Sequence, residues 1–234
     1  MDKKSELKSI ARTIFHGLAN SFDLVQSYAT LFQDQYWKGY LLGKARMRSG
    51  WRILDLGCGT GILEQYLNGR GRGYSVTGVD LSEEMIRIAQ RKDIECMDSL
   101  LLSDAESLPF GDESFDAVLS CGVVKYCALG KFVKEVHRVL KPNSPFVFYD
   151  FTRPSGFFAP LLGFYAYGVF RILGFLLKQY GSEISQAFSK LPRIIASTSW
   201  DERVNEMLSR EEFVGIGNRR LSRGIVTMFW ATKR

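Results

Sequence analysis

Histidine and cysteine are scarce in this chain, and their scarcity narrows its chemistry. Of 234 residues only two are histidine, and the four cysteines (Cys58, Cys96, Cys121 and Cys127) contain no C-x-x-C pair. A zinc site has no ligand set to draw on, and no metal is expected. Four scattered cysteines do not read as a disulfide framework either. They read as reduced thiols of a reducing, cytoplasmic compartment. Behind the N-terminal lysines Lys3 and Lys4 there is no continuous apolar core, so no secretory signal is expected. The net charge of +6 would suit nucleic acid or an anionic membrane surface. No module interleaving basic and aromatic residues accompanies it, which sets nucleic acid aside as a partner. What remains, with 46% hydrophobic and 24% charged residues, is the composition of a globular α/β chain read as one domain over 1–234.

A glycine is missing as well. Ile53-Leu54-Asp55-Leu56 is a short apolar run of the kind that forms a buried strand, and Gly57, Gly59 and Gly61 follow it before a helical stretch from Ile62 to Leu67. Glycines let the chain turn sharply and let a ligand approach backbone N–H groups, and the helix behind them presents unpaired donors. The arrangement is a nucleotide-type site. The dinucleotide fingerprint G-x-G-x-x-G would need glycine at position 62, where isoleucine stands, and this excludes that reading. Asp55, on the strand before the turn, makes the motif D-x-G-x-G-x-G instead.

Further along, Tyr74–Val79 reads as a second strand ending at Asp80, and Ser82 reads as the cap of a helix over 83–92. A third strand through Leu100–Leu102 ends at Asp104. A fourth follows at Ala117–Ser120, a helix at 129–140, and a fifth strand at Phe146–Phe151. Strands alternating with helices predict a mostly parallel, doubly wound sheet with its ligand at the strand C-terminal ends. A helix over 201–209 and two terminal strands near 213–220 and 224–232 complete the chain. Two segments lie outside this pattern. Residues 1–48 read as helices, the first with Leu7, Ile10, Ala11, Ile14, Phe15 and Leu18 at helical spacing, the second running over 22–47. The first is either packed on the domain or a basic amphipathic surface that rests on a membrane or lids the site. Residues 152–198 form an insertion, with a run over 157–177 interrupted only by Pro160, Arg171 and glycines. Arg171 and the glycines argue against a membrane span. A pocket-forming or bilayer-touching helix pair and a buried core helix both remain open.

The glycine motif resembles motif I of the class I S-adenosylmethionine (AdoMet) methyltransferases. The series D-A-x-x-L-P-F-x-D-x-S-F-D-x-V from Asp104 to Val118 resembles the subgroup acting on small molecules and lipids. The resemblance implies a Rossmann-like sheet of seven strands, mostly parallel, with one antiparallel strand inserted by the terminal hairpin. It implies AdoMet as cofactor, held at Asp55, Gly57, Gly59, Thr60 and Gly61 in the loop. Asp80 and the adjoining Leu81 would take the ribose, Asp104 and Ala105 the adenine, and Ser120 would contact the cofactor too. Arg138–Pro142, Tyr149–Pro154 and Leu221–Val226 look like the ubiquinone/menaquinone biosynthesis C-methyltransferases, and this resemblance covers most of 20–234. Departures fall on the substrate side. Asn143 and Ser144 replace two glycines, Asp150 replaces a glutamate, and Glu183-Ile184-Ser185 replaces an aspartate–serine–tyrosine stretch. The expected reaction is C-methylation of a lipophilic small molecule such as a prenylated quinone precursor, with Asp150 or Tyr126 as base and Arg153 stabilising a phenolate. The alternatives are a phospholipid N-methyltransferase and a non-enzymatic AdoMet-binding protein at a membrane surface.

Overall fold

A run of apolar residues as short as Ile53–Leu56 can be fully buried only in the middle of a sheet covered on both faces. The computed structural model, which describes residues 3–70, 73–154 and 159–234, places it there. Three helices come first: α1 (Lys3–Leu18), α2 (Phe22–Ala29) and α3 (Asp34–Ala45). The alternating region then runs β1 (Arg52–Leu56), α4 (Ile62–Asn68), β2 (Ser75–Asp80), α5 (Glu83–Arg91), β3 (Met97–Leu102), β4 (Ala117–Cys121), α6 (Leu129–Val139) and β5 (Pro145–Phe151). It is followed by α7 (Ala159–Leu176), α8 (Ser182–Thr198), α9 (Trp200–Arg210), β6 (Phe213–Leu221) and β7 (Val226–Lys233). The seven strands lie in the order β3-β2-β1-β4-β5-β7-β6. β7 is antiparallel to both β5 and β6, as the resemblance implies, and the other pairings are parallel.

The strand order reverses direction at β1 and β4. The crevice beyond their C-terminal ends is where such sheets bind ligands. Ile53, Leu54 and Leu56 are completely buried, and the two faces of the sheet carry separate cores. On one face α6 lays down Phe132, Val133, Val136 and Val139. On the other, α3 contributes Trp37, Leu41 and Leu42. Ser82 caps α5, its hydroxyl accepting the Met85 N–H at 3.4 Å.

The helices outside the sheet form a third apolar cluster. Leu7, Ala11, Ile14 and Leu18 of α1 are buried with Phe170 and Leu177 from the α7 segment and Phe188, Leu191 and Ile194 of α8. The apolar face of α1 is therefore consumed inside the fold. The helix expected over 22–47 is broken. Leu31 and Phe32 take left-handed backbone angles (φ 50° and 59°) between α2 and α3. The break lets α3 pack on the sheet, where the Trp37 indole donates to the Ser222 hydroxyl at 2.8 Å and the Tyr149 hydroxyl donates to Asp34 at 3.0 Å. α2 is left with no buried residue. The apolar run begins its helix at Ala159; Phe157 and Phe158 lie outside the described residues. Among the described residues no helix is long and apolar enough to cross a membrane.

Candidate active site

The glycine turn after β1 is fixed by its neighbours. The Gly57 and Cys58 N–H groups both donate to the Val79 carbonyl, at 2.7 and 3.1 Å. Gly57, Gly59 and Gly61 have φ of 77°, 56° and 82°, a region that L side chains avoid. At Gly57 a Cβ would also come within 2.1 Å of Val123 Cγ2. The loop thus lies flat under the start of the segment that follows β4, and a cavity of about 120 Å³ opens beside it.

Asp55, Gly57, Gly59, Thr60, Asp80, Leu81, Asp104 and Ala105 all line this cavity. Asp80 sits at the end of β2, where its carboxylate accepts the Gly59 N–H at 3.0 Å and the Ser82 N–H at 2.8 Å. Burial pushes its pKa up, and these backbone donors hold the rise back. Asp104 accepts the Glu106 N–H at 3.0 Å and the Lys8 ammonium at 2.7 Å. Two expected residues fall outside the wall. Ser120 is fully buried, and its hydroxyl donates to the Leu56 carbonyl at 2.7 Å, tying β4 to β1. Gly61 turns away, with Ile94 and Ala89 against it.

The roof comes from the N-terminal helices. Lys8, Ala11, Arg12 and Phe15 of α1 and Phe22 and Gln26 of α2 close over the cavity. Lys8 bridges Asp104 and Glu106, at 2.7 Å from each. The Thr60 hydroxyl donates to Asp23 of α2, which also pairs with Lys92 at 2.6 Å. The lid therefore rests on the same polar atoms that face the cavity.

A buried acid pair stands at the other end. Asp55 and Glu64 are both fully buried and hydrogen-bond each other, one carboxyl keeping the proton; Asp55 Oδ1 and the Glu64 oxygens meet no other hydrogen-bonding group. Burial, and then the neighbouring Glu64, push the Asp55 pKa far up, and burial raises Glu64 to about 7. Lys38, itself buried, enters the same cavity while paired to Asp34. An orphaned carboxyl oxygen beside a glycine turn is the chemistry that accepts an ammonium group. The amino-acid end of AdoMet therefore fits here, with its nucleoside end toward Asp80 and Asp104.

The acid pair makes stability pH-dependent. An acid raised on folding binds its proton more tightly in the native state, so stability falls as pH rises from the ordinary glutamate value of about 4.5 to the native value of about 7. Thermal unfolding of the ligand-free protein should therefore show a melting temperature declining across that window. Glu64→Gln should flatten the decline and raise the melting temperature at its upper end. An unchanged slope in the variant would locate the dependence elsewhere.

The three catalytic candidates are not brought together. Asp150 is completely buried and lines none of the three cavities around the site. It accepts the Lys125 N–H at 2.9 Å, the Lys125 ammonium at 2.7 Å and the Phe151 N–H at 2.7 Å. That full set of donors leaves it no route to act as a base. Tyr126 lines the cofactor cavity, but burial, helped by the charge of Asp150, drives its phenol pKa far upward. It therefore stays protonated and does not serve as the base. Arg153 lies in an outer chamber of about 850 Å³. Sequence reasoning missed Lys125. Its ammonium lies 4.4 Å from the Tyr126 ring centre and donates to the Gly122 carbonyl at 2.5 Å. A lysine inside the otherwise apolar Val123–Cys127 stretch was the available signal.

Lys125 lines a middle cavity of about 110 Å³. This shares Phe15, Gln26, Cys121 and Tyr126 with the cofactor cavity, and Trp37, Phe151, Phe170 and Ile195 with the outer chamber. The three spaces are consecutive, with common walls.

Known proteins resemble this chain in sequence and in fold. The methyltransferase domain family matches residues 54–148. The ubiquinone/menaquinone biosynthesis C-methyltransferase UbiE of Geotalea uraniireducens is 26% identical over 241 residues, covering 100% of both chains. That of Psychromonas ingrahamii is 28% identical over 221 residues, covering 92% of this chain and 87% of its own. Among solved structures, phosphoethanolamine N-methyltransferase 2 of Haemonchus contortus, in complex with S-adenosyl-L-methionine, superposes with a TM-score of 0.62 at 17% identity. It matches 94% of this chain and 60% of that one, a likeness of fold.

Proposed function

We propose that this chain, a class I AdoMet-dependent methyltransferase similar to the UbiE proteins, methylates a ring carbon of a lipophilic phenol-like molecule, with a prenylated quinone precursor as the best fit. The observation that supports the reading is a row of three neighbouring cavities with shared wall residues. The row runs from the glycine turn, past Lys125 and Tyr126, to a mostly apolar outer chamber large enough for an isoprenoid tail.

When bound, AdoMet supplies an electrophilic methyl group on a sulfonium. The protein's part is to position and to exclude water. A phenol ring carbon becomes a good nucleophile once the hydroxyl is ionised, its proton given to solvent. The methyl would leave the sulfonium as C–CH₃ forms, a neutral thioether would remain, and the ring carbon would release its own proton to solvent to restore the ring. The Lys125 ammonium, held against the middle cavity by Asp150, favours that ionised form. Asp150 is then a positioning residue. The protonated Tyr126 hydroxyl donates to the same oxygen. Thr60, Asp80, Leu81, Asp104 and Ala105 hold the cofactor, and Asp55 receives its ammonium. Gly61 and Ser120 shape the turn and the sheet beneath it. Arg153, with Arg193 and Arg223, lines the outer chamber.

The test is transfer of labelled methyl from AdoMet by the purified protein to lipid extracts of cells with and without the gene. The expected product is a neutral isoprenoid lipid gaining one CH₂, in the extract of cells lacking the gene. Label confined to phospholipid amines, or to no lipid, would overturn the reading.

A further inference from the structure

The exposed apolar surface of this protein is concentrated in one place. Among the described residues, large hydrophobic side chains are exposed at Leu24, Tyr28, Leu31, Phe32 and Tyr36 around α2 and the start of α3, and at Leu161, Phe164, Ile172, Phe175 and Leu176 on α7; only Leu102 and Val214 lie elsewhere. The α7 positions 161, 164, 172 and 175 fall on one stripe of the helix. Phe164 is 78% exposed and Phe175 66%. The opposite side of α7 is spent on the core, through Phe170 and the partly buried Leu173. α2 and α7 pack against each other, so the two sets form one face. A contiguous face of this kind marks a docking surface rather than scattered surface apolarity.

We propose that this face seats the enzyme on an anionic lipid bilayer, with the outer chamber opening into the membrane. Charge points to that occupant. Residues 159–180 contain Arg171 and Lys178 and no aspartate or glutamate. The Lys178 ammonium lies 5.0 Å from the Phe175 ring centre, so cation and aromatic share one edge of the stripe. On the other side, Asp23 and Asp34 are committed to Lys92 and Lys38. The chamber lies on this face, since Leu31 and Phe164 line it, and Arg153, Arg193 and Arg223 line it as well. Apolar side chains entering the acyl boundary with cations at the headgroup level are the two ingredients of interfacial binding. A second copy docked on the same face would cover the mouth. A bilayer covers it with the phase in which a lipophilic acceptor dissolves.

The inference borrows the lipophilic acceptor of the proposed function, and its test reads binding alone, without turnover. The full chain is floated with vesicles of pure phosphatidylcholine and with vesicles in which roughly a third of the lipid is phosphatidylglycerol. The expected result is co-flotation with the anionic vesicles, weakened by salt. The double variant Ile172→Ser/Phe175→Ser should lower the partition coefficient by about tenfold or more, and Lys178→Glu by a smaller factor. Val214→Ser, exposed but remote from the face, should change nothing. Ile172 and Phe175 are exposed, so the melting temperature should be preserved in the double variant, and a circular dichroism melt checks this. Absence of wild-type flotation, or flotation untouched by the double variant, overturns the proposal. A wild-type dimer in sedimentation that the double variant dissociates, with no vesicle binding, assigns the face to a second copy and overturns it too. Vesicle binding without methyl transfer to any lipid would leave the bilayer assignment standing and remove the acceptor reading.

Discussion

Replacing Lys125 by methionine should lower kcat by two to three orders of magnitude and destabilise the fold at the same time. Both effects come from one pair. Asp150 has no exposure to solvent, and removing the ammonium 2.7 Å away leaves a buried carboxylate with only two backbone donors. Breaking a buried ion pair from one side costs about 3–5 kcal/mol, a large share of the 5–15 kcal/mol that holds a domain folded. The catalytic loss has a different origin. A fixed charge aimed at a developing or stabilised oxyanion is worth roughly 3–4 kcal/mol in a water-poor site. The double variant Lys125→Met/Asp150→Asn separates the two. It removes the uncompensated charge and keeps an acceptor for one of the two backbone N–H groups, those of residues 125 and 151, which bond different carboxylate oxygens. Its melting temperature should recover toward wild type while kcat stays low. Lys125→Arg should keep part of the activity. Recovery of both stability and kcat in the double variant would reduce the pair to a structural role.

Asp80→Ala should raise the dissociation constant for AdoMet at least tenfold, equivalent to about 1.4 kcal/mol. The carboxylate organises the site even before a ligand arrives, because it accepts the Gly59 and Ser82 N–H groups. Without it the glycine turn loses one of its three bonds to β2, keeping those of Gly57 and Cys58 to the Val79 carbonyl, and the cavity loses an acceptor. Hydrogen bonds to charged groups are worth about 1.5–3 kcal/mol each, so the loss can reach a hundredfold or more. Asp80→Asn keeps one acceptor oxygen and should fall between. Calorimetric titration with AdoMet measures all three proteins, with far-ultraviolet circular dichroism as the check on folding. An undiminished affinity in the alanine variant would remove Asp80 from the cofactor site.

Much of the site was legible because its parts are local. A strand, a glycine turn and a helix are specified by contiguous residues, and the acid at the end of the next strand follows from the same β–α rhythm. Asp55, Gly57, Gly59, Thr60, Asp80, Leu81, Asp104 and Ala105, which the resemblance singled out on those motifs, all line one cavity. Two neighbours in the same motifs were not. Ser120 faces the carbonyl of Leu56 on the adjacent strand, and Gly61 faces Ile94, and in both cases the partner lies on another element. The sequence likewise read as one helix over 22–47 and did not show that Leu31 and Phe32 reverse the backbone within it. Turns made by bulky residues at positive φ have no compositional signature.

By itself the sequence determined the doubly wound sheet, the place of its ligand crevice and the residue types that meet a nucleoside there. Alternating apolar runs, turn glycines and helix caps act over a few residues and read the same in any context. The tertiary structure alone decided which charges are paired. It joined Lys8 to Asp104 and Lys125 to Asp150, turning an expected base into the holder of a cation, and it set two acids, Asp55 and Glu64, side by side. It also decided that α7 buries one side and exposes the other. Those outcomes depend on which distant elements meet, and a buried charge or an open apolar face is defined only by what packs against it.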